Sequence, residues 1–227
     1  MKNFSILLVL LMATTAIAQP AVQESPTFEY LSSRTVNLMD NPNDYTGSPY
    51  YKDEFLKGSI LSNGKIIAFN HDIRYNVSKE EFEIKDPANR NSKIVRTLLR
   101  SQDFEIKIGN ESFEYISSSK NELRGYFIVL FKGEKKALYK KITKKYYPAQ
   151  KAENSMSNDI AAMYRDREAI YYVDETGIFT EMSTSKSGKI KAFGKLKKEV
   201  KSYVKEHNLN PNKEKDLIQV VSHFDTL

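Results

Sequence analysis

Apolar residues crowd most densely at 126–131, where Tyr126, Phe127, Ile128, Val129, Leu130 and Phe131 follow one another without a polar position. Lys132-Gly133-Glu134-Lys135 then supplies a turn, and 137–142 runs back with its apolar residues thinning into lysine. A run this short, with glycine at Gly125 and Gly133, suits a central strand rather than a helix core. Apolar on both faces, such a strand calls for a second layer behind the sheet or closure of the sheet on itself.

Elsewhere the pattern has a period of two. In 72–77, Ile73, Tyr75 and Val77 alternate with Asp72, Arg74 and Asn76; Phe82 and Ile84 do so in 81–85, and Phe104, Ile106 and Ile108 in 104–108. This alternation marks strands with one wet face. Turn signals separate them: Asn63-Gly64, Ser78-Lys79-Glu80, Asp86-Pro87 with Asn89, and Gly109-Asn110. Asn63-Gly64 is the strongest hairpin signal, because both central residues of that turn favour positive φ. Segments 94–99, 113–116, 169–173 and 178–182 bring the series to about ten short strands, spaced as in sandwiches and barrels. Links of hairpin length make the sheet antiparallel and mostly meandering. The connection 144–167 breaks the rhythm; within it, 159–164 is read as a turn of helix.

From Ser187 the period changes to that of a helix. Ile190, Phe193, Leu196, Val200, Tyr203 and Val204 share one face, with Lys191, Lys195, Lys198 and Lys205 opposite, and His207-Asn208 ends the segment. Asn210-Pro211 reads as an N-cap followed by proline at the first helical position. Leu217, Val220, Val221, Phe224 and Leu227 form a second apolar stripe, so the chain is expected to close as a helical hairpin covering the second face of 126–131. The fold class is therefore α+β, mainly antiparallel β: a meander forming a sandwich or partly closed barrel, with a C-terminal helical hairpin.

The N-terminus changes the picture of where the protein works. Lys2, a nearly unbroken apolar run over 4–12 and Ala16-Ile17-Ala18 make the three-part pattern of a secretory signal peptide, cleaved between Ala18 and Gln19. The apolar run falls short of the ~20 residues of a spanning helix. The division expected is 1–18 signal peptide, 19–45 weakly ordered leader or edge segment, 46–183 β body and 184–227 helical hairpin. A periplasmic or secreted location follows, with no transmembrane segment in the mature chain. With no Cys, the chain has neither a disulfide framework nor a thiol nucleophile.

Three blocks carry a resemblance: Gly47-Ser48-Pro49-Tyr50-Tyr51 leading to Phe55 and Gly58 with Arg74-Tyr75-Asn76; Gly125-Tyr126-Phe127 with Val129-Leu130; and the closing helices with Tyr203, Val204, Lys205 and Leu209. Over roughly residues 45–226 the chain resembles a group of uncharacterised exported, β-rich proteins of Gram-negative bacteria with a Lys-rich helical tail. The resemblance implies class and compartment and no activity.

Candidate chemistry is sparse. His71, His207 and His223 fall in no metal-ligating spacing, no phosphate loop or nucleophile elbow is present, and no cofactor is expected. Ser183-Thr184-Ser185-Lys186 matches S-x-x-K, but its overlap with Lys186-Ser187-Gly188 in one loop makes coincidence the better reading. Asp159, Arg165, Asp166, Arg167 and Glu168 would supply an acid/base pair if 144–167 folded over a cleft, the alternative of a small hydrolase. A barrel holding a small apolar ligand is a further alternative. The net charge of +6 reads first as a charge that keeps the protein soluble and the 14 tyrosines as residues suited to half-buried sheet positions, with binding the second reading of both. Lys132, Lys135, Lys136, Lys140, Lys141, Lys144 and Lys145 with Tyr146 and Tyr147 make a basic, aromatic stretch suited to an anionic envelope polymer or another envelope protein. Edge protection by lysine is the competing reading of the same stretch. Nucleic acid is an unexpected partner for an exported chain.

Overall fold

The computed structural model describes residues 30–37, 45–86, 91–118, 122–152, 154, 156 and 158–226; the export segment 1–18, most of 19–45 and, in the turn after Asp86, Pro87 and Asn89 lie outside the described residues. The strands are β1 (Leu31–Asn37), β2 (Tyr45–Thr46), β3 (Leu56–Ser62), β4 (Lys65–Asn76), β5 (Glu81–Lys85), β6 (Ile94–Leu98), β7 (Phe104–Ile108), β8 (Glu111–Ser118), β9 (Leu123–Lys132), β10 (Ala137–Tyr147), β11 (Ala162–Val173) and β12 (Phe179–Glu181). They form one open sheet in the order β1-β6-β5-β4-β3-β7-β8-β9-β10-β11-β12, antiparallel throughout except for β2, which lies parallel to β11. The meander expected from hairpin-length links is therefore present, interrupted where the chain passes from β6 to β7. Asn63 and Gly64 turn β3 into β4 with φ of 49° and 76°, as their sequence requires. Leu31–Asn37, within the expected leader, is an edge strand paired with β6.

The sheet curls. Tyr126 of β9 packs edge-on against Phe82 of β5, ring centroids 4.7 Å apart, although four strands separate them in the sheet. Phe113, Tyr75 and Tyr115 join the same aromatic centre, and Ile60, Ile73 and Ile106 fill it without exposure. Stacked and T-shaped aromatic pairs add to the area they bury. Alternation sends Phe127 and Val129 to the opposite face, where they meet Tyr139, Tyr171 and Phe179. Leu130 and Phe131 pack with the helices. The run 126–131 is thus covered on both sides, with Tyr126, Phe127 and Ile128 at 1, 1 and 4 % exposure and the next three half-buried. Its lid is a correction: the helices cover only its last two residues, and the curled sheet covers the first, because twist brings β4 and β5 over β9.

The helical tail is α1 (Lys186–Lys191), a 3-10 turn (Gly194–Leu196), α2 (Lys197–Glu206) and α3 (Glu214–Asp225). The single helix expected from Ser187 is broken at Gly194, whose φ of 56° does not fit the interior of a right-handed α-helix. Asn210-Pro211 does not start the second helix. It begins a turn, with Asn210 Oδ1 accepting from the Asn212 amide, and Lys213 stands at the N-cap of α3. The period-3.6 stripes nonetheless face inward: Phe193, Val200, Val204, Leu217, Val220, Val221 and Phe224 close over Leu138, Ile170 and Tyr172 of β10 and β11.

One carboxylate fastens this tail. Asp225, at the end of α3, accepts the Glu134, Lys135 and Lys136 amides of the β9–β10 turn at 3.0, 2.9 and 2.7 Å. Burial alone would raise its pKa, but these three hydrogen bonds and the Lys136 charge hold it below the ordinary aspartate range. Gly133 makes the approach feasible, since a Cβ there would collide with the Asp225 carboxyl group.

Candidate functional site

The ladder between β9 and β10 stops at Ile128 opposite Lys140, whereas β10 stays paired with β11 out to Tyr147 opposite Met163. The outer halves of β10 and β11 therefore leave the main sheet as a ribbon. The segment 159–164, expected to turn as a helix, instead contributes to this ribbon, since Ala162 already belongs to β11; cross-strand pairing overrides its local propensity. Where the strands part, the Tyr126 backbone has lost its neighbour on one side, and two side chains replace it. The Tyr126 amide donates to Glu80 at 2.9 Å and its carbonyl accepts from Lys141 Nζ at 3.0 Å, while Lys141 and Glu80 pair with each other. The Tyr75 hydroxyl also donates to Glu80, at 2.8 Å. Burial pushes the Lys141 pKa below that of a free lysine, and Glu80 restores only part of the difference.

Alternation divides the ribbon into two faces. On one, Lys144 lies opposite Asp166 and Tyr146 opposite Tyr164. Both pairs are engaged: Lys144 Nζ meets Asp166 at 3.1 Å, and the rings of Tyr45, Tyr146 and Tyr164 sit 5.1–6.5 Å apart. On the other face, Thr143, Lys145 and Tyr147 lie opposite Arg167, Arg165 and Met163. This face is open to solvent at Lys145, Tyr147 and Arg165. Lys145 Nζ stands 5.2 Å from the Tyr147 ring centroid and Arg165 Cζ 5.0 Å from it. Neither cation has an ion-pair partner among the described residues; Arg165 Nε approaches only Met163 Sδ, at 3.2 Å. Arg167, next along, pairs with Glu181 at 2.6 Å. Two like charges directly opposite each other oppose strand pairing, so this register carries an electrostatic cost that no carboxylate among the described residues offsets.

The remaining residues of the basic stretch go elsewhere. Lys132, Lys135 and Lys136 line a groove of about 400 Å³ beside Glu114, Tyr139 and Phe179. There Glu114 accepts from Lys132 at 2.7 Å and from the Tyr139 hydroxyl at 3.1 Å. Burial, followed by the Glu114 charge and hydrogen bond, raises the Tyr139 pKa well above the usual tyrosine value. Lys140 reaches across to Glu214 of α3 at 2.8 Å, and Lys141 is the buried partner of Glu80. Of the nine residues singled out, the structure thus brings Lys145 and Tyr147 together on the open ribbon face, with Tyr146 behind them. Arg165 belongs to the cluster expected to supply an acid/base pair if 144–167 folded over a cleft; pairing of β10 with β11 instead sets it opposite Lys145, a register that no local pattern shows.

Several of the other candidates have structural partners, whereas the buried His71 Nδ1 has no hydrogen-bond partner. Asp159 accepts the Ala152 amide at 2.7 Å, and Asp166 holds Lys144. Ser185 caps α1 through the Gly188 amide, and Lys186 Nζ donates to the Leu209 carbonyl at 3.2 Å. His207 and His223 lie against the two sides of the Tyr203 ring, at centroid distances of 4.1 and 3.9 Å. His71 has its pKa lowered by burial and by Lys57. Among the described residues no three His, Cys, Asp or Glu side chains converge as metal ligands, and no helix is long and apolar enough to cross a membrane. Comparison of the chain with family models, with curated proteins and with solved structures returned no match.

Proposed function

We propose that this is an exported, non-enzymatic binding protein of the cell envelope that grips an anionic polymer along the Lys145–Arg165–Tyr147 face. The observation that carries the reading is the unneutralised cross-strand pair of Lys145 and Arg165 flanking an exposed tyrosine ring. A polyanion supplies the missing counter-charge, and the ring offers a flat, amphipathic surface on which a sugar can stack. The signal pattern at 1–18 and the resemblance to exported β-rich proteins support the compartment. The hydrolase alternative draws no support from Asp159 and Asp166, both of which are engaged. An apolar ligand inside the curl would compete with Phe82, Phe113 and Tyr126, which fill it at 1 % exposure or less.

The test is retention of the mature protein on an immobilised anionic polysaccharide as salt is raised. Binding should weaken with ionic strength, and Lys145→Gln with Arg165→Gln should lower affinity roughly tenfold, about 1.4 kcal/mol. Retention that ignores both salt and the double substitution would remove the reading. Export is checked separately by sequencing the N-terminus of the product outside the inner membrane, where Gln19 is expected.

A further inference from the structure

The hairpin of β3 and β4 turns large apolar side chains toward solvent. Its register slips twice, between Leu61↔Ile66 and Ile60↔Ala68 and again between Ile60↔Ala68 and Gly58↔His71, each time by one extra residue in β4. Asn70, in the second slip, has a φ of 58°. Bulges of this kind re-aim the side chains of the strand that carries them. Strict alternation would send Ile66 to the same face as the buried Ala68. Instead Ile66, Ile67 and Phe69 are 59, 37 and 73 % exposed. β5 pairs with β4 only over Ile73–Asn76, so 65–72 runs on past it with no second ladder among the described residues. No charged residue stands between Ile66 and His71, and Lys65, beside the turn, has no ion-pair partner among the described residues. Single apolar residues on a surface need no explanation, but three within four positions mark a contact surface.

From this arrangement we propose that the end of the β3–β4 hairpin docks on an anionic lipid bilayer, with Ile66, Ile67 and Phe69 entering the boundary between headgroups and acyl chains and Lys65 lying among the lipid phosphates. Size selects a bilayer over a second copy of the chain. An aromatic side chain buries only about 150–250 Å², so three partly covered residues fall well short of the ~800 Å² that each copy gives to a standard interface. A bilayer makes no such demand, because each apolar side chain partitions into it on its own. Charge selects the lipid: the chain carries a net +6, and a lysine next to an inserted apolar group reaches the phosphates while its stem stays in the apolar layer. The unpaired outer edge of 65–72 sets the depth, since its backbone groups must stay in the hydrated headgroup layer.

The experiment uses the chain from Gln19 onward, so that the apolar run over 4–12 cannot bind lipid in its place. The protein has no Trp, and Phe69→Trp therefore introduces a sole indole at the point of contact. Vesicles of phosphatidylcholine with phosphatidylglycerol should shift its emission to the blue, and lipids brominated close to the headgroup should quench it. Vesicles of phosphatidylcholine alone should bind at least about fivefold more weakly. Ile66→Ser with Phe69→Ser should weaken co-sedimentation with the mixed vesicles by at least roughly tenfold. Circular dichroism and the melting temperature establish that these exposed variants fold. Lys145→Gln with Arg165→Gln should leave the blue shift at saturating lipid unchanged, so that failure here and failure of the polymer reading are separable. Emission unmoved by vesicles, equal binding to both lipid mixtures, or parental binding by the double serine variant would each overturn the proposal. So would a blue shift that grows with protein concentration in the absence of lipid, which would make a second copy the occupant.

Discussion

At the scale of single residues, Glu80 and Lys141 decide how far the sheet runs. They stand in for a missing strand by satisfying both backbone groups of Tyr126, an arrangement needed because a buried amide or carbonyl without a partner costs about 1–3 kcal/mol. Lys141→Met keeps the apolar stem but orphans the Tyr126 carbonyl and leaves Glu80 without its cation. Chemical denaturation should show a loss of about 1–3 kcal/mol, and Glu80→Gln in the same chain should recover part of it. Equal stability of Lys141→Met and the parent protein would mean that the strands part for another reason. The pair was illegible in the sequence, where Lys141 was one lysine in a row and Glu80 part of a turn; only the curl brings positions 61 residues apart into contact.

At the scale of elements, α3 is held at its end by Asp225 and along its length by packing. Because the Asp225 pKa is depressed on folding, its contribution is present in full above the unfolded aspartate pKa and is lost as pH falls through the folded value. Melting temperatures followed from pH 5 downward should therefore show Asp225→Asn less stable than the parent at the upper end, with the two curves converging in acid. A difference independent of pH would assign the anchor to shape alone. The amphipathic stripes of both tail helices were readable from their period. The break at Gly194 and the shift of the α3 start to Glu214 were not, since a lone glycine is tolerated inside many helices and Asn-Pro serves turns as well as caps.

At the scale of the whole molecule, the curled sheet and the tail have separate apolar centres that meet at Leu130. Removing 184–227 would uncover Leu138, Ile170 and Tyr172 and leave the 134–136 amides without Asp225. The truncated chain should bind a hydrophobic dye and sediment as aggregates, because exposed apolar area of this kind drives association. A monomeric truncated chain with an unchanged melting temperature would show the tail to be an accessory. The ribbon belongs to this scale as well: the sheet releases it, and its open face gathers Lys145, Tyr147 and Arg165 from two strands.

By itself the sequence determined the class of the molecule: strands where polarity alternates, a doubly covered strand at 126–131, a hairpin at Asn63-Gly64 and a tail whose apolar stripes face inward. Those are local signals, carried by residues within one turn or one pleat of each other. Tertiary structure alone decided what covers each face, how the lysines divide, and which cations remain unneutralised. Strand alternation sends neighbouring lysines to opposite sides, and the twist of the sheet selects which of them meets a carboxylate from a distant part of the chain.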